Sequence, residues 1–97
     1  MRAIVWSDEA LDDFDSALFY IAKDNYVAAV MIAERVDVTA RRLALTPIGH
    51  PGRVEGTYEK RVSKTPYIIA YAVTDEALTI LRVIHTSRDW QTDSWPA

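Results

Sequence analysis

The run Tyr67-Ile68-Ile69-Ala70-Tyr71-Ala72-Val73 constrains this chain more than any other segment. It is almost entirely apolar and rich in β-branched and aromatic residues, which predicts a strand. Successive side chains of a strand point to opposite faces, so a strand apolar on both faces belongs at the centre of a sheet covered from two sides. Segments of strand character flank it at 57–62 and 78–85. The connections Ser63-Lys64-Thr65-Pro66 and Thr74-Asp75-Glu76-Ala77 have hairpin length and turn composition, which predicts a three-stranded antiparallel meander. Strict alternation over 78–85 puts Ile80, Arg82 and Ile84 on one face and Leu81, Val83 and His85 on the other.

The chain before the meander is helical. Ala3-Ile4-Val5-Trp6 reads as a short first strand, and Ser7 is a good N-cap. Asp8 and Glu9 then occupy a first helical turn, where acids favour the helix dipole. Leu11, Phe14, Leu18 and Ile21 recur at spacings of three and four, which predicts a helix near 8–23 with Asp12, Asp13, Asp15 and Ser16 facing away. Asp24-Asn25 breaks it, and Asn25 can cap a second helix over 26–45. That helix buries Ala29, Ile32, Ala33, Val36, Ala40 and Leu43. A break this short makes the two helices an antiparallel hairpin. Residues 48–55 hold Gly49, Pro51 and Gly52, with Pro47 just before them, and read as a loop. The fold expected is therefore α+β: an N-terminal strand, an antiparallel helical hairpin and a three-stranded antiparallel meander, or βααβββ, with helices on one sheet face. The other face is left partly open.

Composition narrows the chemistry. The chain has 97 residues, enough for one domain, 1–97, with a helical half near 8–45, a sheet half near 57–85 and a tail at 86–97. It contains no cysteine, which excludes disulfides, thiolate metal sites and cysteine nucleophiles. His50 and His85 are the two histidines, so no metal site is expected and no cofactor motif is present. The glycines of 47–53 lack the strand and helix flanks of a phosphate-cradling loop. No apolar run reaches the ~18 residues of a membrane helix, and the start of the chain is too briefly apolar for a signal peptide. A cytoplasmic protein with no membrane partner is expected. Net charge is −3, but it is unevenly placed. Residues 1–52 carry eight acids against five bases, whereas 53–88 carry six bases against four acids. Local patches govern binding more than the total does.

Three groups of residues are candidates for function. Arg82, His85 and Arg88 cluster at the end of the last strand. They form an anion site, since arginine grips oxyanions in bidentate fashion and histidine moves a proton near neutral pH. Alternatively, Arg82 pairs with an acid of the helices while His85 and Trp90 close the core edge. Lys60 and Arg61 point to opposite faces if 57–62 is extended. Arg61 is then the candidate for the open face, and Lys60 and Lys64 are solvated residues of an edge strand. Trp90 and Trp95 either fold back onto the domain or anchor a protein interface, where tryptophan is enriched. The acids of the first helix read as a solvated face. No catalytic constellation stands out from the residues alone.

The order of several short pieces resembles the RelE/ParE superfamily of toxins from bacterial type II toxin–antitoxin pairs. These pieces are Trp6-Ser7-Asp8-Glu9-Ala10-Leu11-Asp12-Asp13, Asn25 with Ala28-Ala29, and Leu43…Pro47…Gly49…Gly52-Arg53. They continue through Gly56-Thr57-Tyr58-Glu59, Pro66-Tyr67-Ile68-Ile69-Ala70-Tyr71 and Ile80-Leu81-Arg82-Val83-Ile84-His85…Arg88-Asp89-Trp90. The resemblance implies the βααβββ fold, a cognate antitoxin, growth arrest when the toxin is unopposed, and contact with operator DNA only through the antitoxin. RelE-like members are ribosome-dependent endoribonucleases that cut mRNA with several cations on the open sheet face. Here two positions of that cationic pattern hold Glu59 and Ile68. Arg61 and Arg88 remain, with His85 as a further group a nuclease could use. The Arg-Val-Ile-His ending looks closer to the ParE-like branch, associated with poisoning DNA gyrase by protein–protein contact (the plasmid stabilisation type of system). The resemblance therefore implies a gyrase-directed toxin, with a ribosome-dependent nuclease as the alternative. Arg61, Arg82, His85, Arg88, Trp90 and Trp95 are the residues expected to meet target or antitoxin.

Overall fold

The computed structural model describes residues 1–87. Arg88, Trp90 and Trp95, singled out above, lie outside the described residues. Strand β1 (Ala3–Trp6) leads through Ser7 into helix α1 (Asp8–Asp24), and Asn25 separates α1 from α2 (Tyr26–Leu45). A two-residue strand β2 (His50–Pro51) follows, then β3 (Tyr58–Arg61), β4 (Tyr67–Val73) and β5 (Ala77–His85). The expected α+β order holds, with one strand more than the glycine- and proline-rich loop suggested. Pro51 is tolerated in β2 because an edge strand can forgo a ladder donor.

Both helix starts form as their residues dictate. The Ser7 hydroxyl accepts the Ala10 N–H at 3.0 Å, and the Asn25 carboxamide oxygen accepts the Ala28 N–H at 3.0 Å. The apolar stripe of α1 is rotated from its expected position. Ala10, Phe14, Ala17 and Ile21 meet the core, whereas Leu11 is 42% exposed. Small Ala10 and Ala17 let the helix approach the sheet closely, a choice that hydrophobic spacing alone misses.

The sheet order is β1-β5-β4-β3-β2. Strand β1 runs parallel to β5 and every other pair is antiparallel. Strand β4 thus occupies the centre, and its two faces supply two separate clusters. Toward the helices, Tyr67, Ile69 and Tyr71 join Val36, Leu43, Leu78, Ile80 and Val83. On the other face, Ala70 and Ile84 are fully buried with Val54 and Ile68 packed on them. That second face is the one expected to be partly open. Part of it is roofed by Val54 from the loop before β3.

Strict alternation in β5 fails at one place. Ala70 pairs with Arg82 but Tyr71 pairs with Ile80, so Leu81 is an extra residue in the strand. This bulge sets Ile80 and Val83 together in the helix-side core and Ile84 on the opposite face, correcting the alternation read above. The loop itself is clamped to the sheet. The Gly49 N–H donates to the Tyr71 hydroxyl at 2.8 Å, and burial raises the pKa of that phenol above its ordinary 10.0. A side chain on Gly49 would collide with that hydroxyl and with the Glu59 carbonyl oxygen. Gly49→Ala is expected to cost about 1–3 kcal/mol, measured by urea unfolding. Tyr71→Phe, which removes one hydrogen bond, costs about 1 kcal/mol.

Candidate functional site

The face turned away from the helices is where the sequence places a docking surface. Arg61 lies there, exposed, in register with Ile68, which is itself in register with Ile84. Lys60 pairs with Ile69, a residue of the helix-side cluster. Lys60 and Arg61 therefore do point to opposite faces.

Glu59 is adjacent on the Arg61 face and is only 4% exposed. A carboxylate buried this deeply needs partners, and among the described residues Arg53 supplies its hydrogen bonds. Its backbone N–H donates at 2.8 Å, Nε at 2.9 Å and Nη2 at 3.1 Å. Burial alone would push the Glu59 carboxyl up, but these hydrogen bonds and the guanidinium charge outweigh it and hold the group below its usual 4.5. The pair folds the 52–57 segment back over the sheet, so that Val54 reaches Ala70 and Ile84. Gly52 is required there because a Cβ would meet the Thr57 hydroxyl and the Glu59 side chain. One member of the basic half, Arg53, is thereby neutralised within the fold.

Arg82 has a similar fate on the other side of the molecule. Its Nε and Nη2 donate to the two carboxylate oxygens of Asp13 at 2.7 and 2.9 Å, and the Val83 N–H adds a third bond to Asp13 at 3.0 Å. Both side chains are nearly buried, at 13% and 12% exposure. The hydrogen bonds that Arg82 donates to Asp13 raise its proton affinity against the opposing effect of burial. Of the two readings of Arg82, the structure shows the pairing with an acid of the helices. It also corrects the view of α1's acids as uniformly solvated, since Asp13 is drawn inward while Asp12 and Asp15 remain exposed.

His85 stands beside this pair. Its ring meets Tyr67 edge-on, with centroids 5.2 Å apart. The Ser87 N–H donates to Nδ1 at 3.2 Å, with the Ser87 hydroxyl at 2.7 Å. A backbone N–H can only donate, so Nδ1 is the acceptor and the neutral ring carries its proton on Nε2. Tyr67, Arg82 and His85 line a cleft of about 880 Å³ between α1 and the ends of β4 and β5, with Asp12, Tyr20 and Ile32 opposite. Arg61 is not among its lining residues, so the structure separates Arg61 from His85 and Arg82. Among the described residues, no three His, Asp or Glu side chains are placed to hold a metal ion, and no helix is long and apolar enough to cross a membrane.

The model of the ParE toxin of the parDE type II toxin–antitoxin system matches residues 4–90. The chain belongs to the ParE toxin family. It is 34% identical over 90 residues to the candidate toxin Y4kP of Sinorhizobium fredii, covering 92% of this chain and 93% of that one. It is also 34% identical over 89 residues to toxin RelE2 of Caulobacter vibrioides, covering 91% of this chain and 99% of that protein. A solved chain from the chromosomal ParDE system of P. aeruginosa shares the fold, with a TM-score of 0.81 at 18% identity over 90% of this chain and 98% of that one. This ParE-family protein is therefore a toxin of a type II toxin–antitoxin system within the RelE/ParE superfamily, and a cognate antitoxin is its partner.

The Arg53–Glu59 pair escaped the reading of the sequence, and for Arg82 that reading offered an acid of the helices as partner without saying which. Glu59 offered a signal, a lone acid in a strand six residues after an arginine in a glycine-rich loop. Asp13 offered none, because Arg82 is distant in the chain and the bulge that re-aims it is a product of pairing.

Breaking the buried Asp13–Arg82 pair from one side leaves an uncompensated charge. Arg82→Ala is expected to cost about 3–5 kcal/mol in urea unfolding, with a large coupling to Asp13→Ala in a double-mutant cycle. The Glu59 latch predicts a pH dependence. Because its carboxyl is held below 4.5 in the folded state, its stabilisation is complete above that value and is lost as pH falls below it. Glu59→Gln lowers thermal stability at neutral pH and flattens the decline on acidification, measured by thermal unfolding from pH 7 to pH 3.

Proposed function

We propose that this ParE-family toxin arrests growth by binding DNA gyrase through its exposed sheet face, without a catalytic step of its own, and that a cognate antitoxin neutralises it by covering surface of the same domain. The observation that supports this reading is the disposition of charge on that face. Glu59 and Ile68 occupy positions where the nuclease branch carries cations, and the adjacent Arg53 is bound to Glu59. Arg61 is left exposed there without an ion pair among the described residues. Stabilising a phosphodiester transition state calls for several preorganised donors, each worth about 10²–10³ in rate. A face on which, among the described residues, Arg61 stands exposed beside apolar Ile68 suits protein contact better.

The match to a protein named RelE2 supports a second reading, a ribosome-dependent mRNA endoribonuclease using Arg61, His85 and Arg88. Two assays separate the readings. With purified protein, gyrase supercoiling is inhibited and ribosome-bound mRNA stays intact. Cleaved mRNA beside unimpaired supercoiling overturns the proposal. Arg61→Glu is expected to weaken gyrase inhibition about tenfold, equivalent to ~1.4 kcal/mol, while the thermal unfolding curve stays unchanged.

A further inference from the structure

The sheet face turned away from the helices is not bare. Residues 52–57 leave β2 and rejoin β3 as a strap laid across it. The Gly52 N–H donates to the Thr57 carbonyl at 2.9 Å and closes the neck of the strap. Its ends are fixed, because His50 pairs with Glu59 and Tyr58 with Tyr71. Its tip turns at Gly56 (φ 82°), where a side chain would meet nothing within 4 Å, so the tip has room to move.

The strap reaches the sheet through two neighbouring residues. Arg53 gives Glu59 three hydrogen bonds, from its backbone N–H, Nε and Nη2. Val54 lies on Ala70 and Ile84, which are fully buried, with Ile68 packed beside them. The Arg53 side chain keeps 34% of its surface exposed, against 13% for Arg82. Water therefore competes for the strap's ion pair far more than for the Asp13–Arg82 pair. A segment tied down in this way opens locally at a lower cost than the whole fold.

What the strap covers is an apolar patch with charge beside it. Lifting the strap uncovers Ala70 and Ile84 and releases Arg53, while Arg61 already stands exposed on the same face. The opened face offers apolar surface and two guanidinium groups. Val54 itself shows that a branched apolar side chain fits the seat. A protein segment with an apolar side chain between carboxylates suits that face, whereas a phosphodiester backbone has nothing to bury against Ala70 and Ile84.

We propose that the 52–57 strap is a placeholder for the toxin's target: it lifts from the sheet, and an apolar side chain of the target, flanked by carboxylates, takes the seat of Val54. This rests on the reading of that face as the surface that meets DNA gyrase. The open form is the one that binds, so the apparent affinity is the intrinsic one scaled by the open fraction. The strength of the Arg53–Glu59 pair thereby sets the potency of the toxin.

Two measurements on the full chain test this. In hydrogen exchange followed by NMR, the Arg53 N–H, which is bonded to Glu59, is expected to exchange at least about tenfold faster than the Ile69 N–H of β4, with little dependence on added urea. Exchange of the two amides in step overturns the proposal, whatever the target. In gyrase supercoiling, Val54→Ser and Glu59→Gln are each expected to inhibit at a concentration about tenfold lower than the parent, although both loosen the fold. A purely structural role gives equal or weaker inhibition, and that result overturns the proposal. Lys64→Gln, in the groove of about 370 Å³ between α2 and the 63–64 turn, is the control and inhibits as the parent does. If the parent leaves supercoiling untouched, the gyrase reading fails, and the Arg53 exchange rate still decides whether the strap opens.

Discussion

The carboxylate of Asp13 joins the two halves of this molecule. It accepts three hydrogen bonds from β5, two from Arg82 and one from the Val83 backbone, and so fastens the first helix to the sheet just past the end of β1. The β5 edge there has no strand to pair with, and without the carboxylate the Val83 N–H would be an orphan in a nearly buried setting, an expensive arrangement. The Ser7 hydroxyl continues the same edge by donating to the Leu81 carbonyl at 2.9 Å. Helix α1 therefore begins where β1 stops and takes over its role as a neighbour of β5. The bulge at Leu81 is part of the same device, since an added residue bends the strand and turns Arg82 toward α1.

A second carboxylate does for the loop what Asp13 does for the helix. Glu59 gathers the Arg53 backbone and guanidinium, and in doing so presses Val54 onto the face of the sheet that carries no helix. These two pairs decide how much cationic surface the basic half of the chain presents. Arg53 and Arg82 are absorbed by the fold, Arg61 stands on the sheet face, and Lys64 faces the α2 groove. The two exposed cations thus stand apart, Arg61 on the sheet face and Lys64 beside α2.

Much of the architecture was legible from local rules. Ser7 and Asn25 are capping residues at the starts of apolar-periodic runs, and both helices begin there because the orphan N–H groups of a first turn need such acceptors. Tyr67–Val73 could only be central, being apolar on both faces. What local rules misplaced was the stripe of α1, because Leu11 is more hydrophobic than Ala10 but too large for the close approach that Ala10 allows. They also missed β2, a pairing created by the clamped loop, and the bulge in β5, since nothing within that strand announces where its register will slip.

The candidate site divides the same way. Residue order alone carried the family resemblance, the α+β class and the placement of Lys60 and Arg61 on opposite faces, because capping, periodicity and strand alternation act over a few residues. The partners of the charged groups came from the folded arrangement. Asp13 and Arg82 are far apart in the chain, and whether either is a docking charge or a structural one depends on what stands within about 3 Å of it. Burial decides between those roles, and burial is a property of packed layers that no short stretch of amino acids contains.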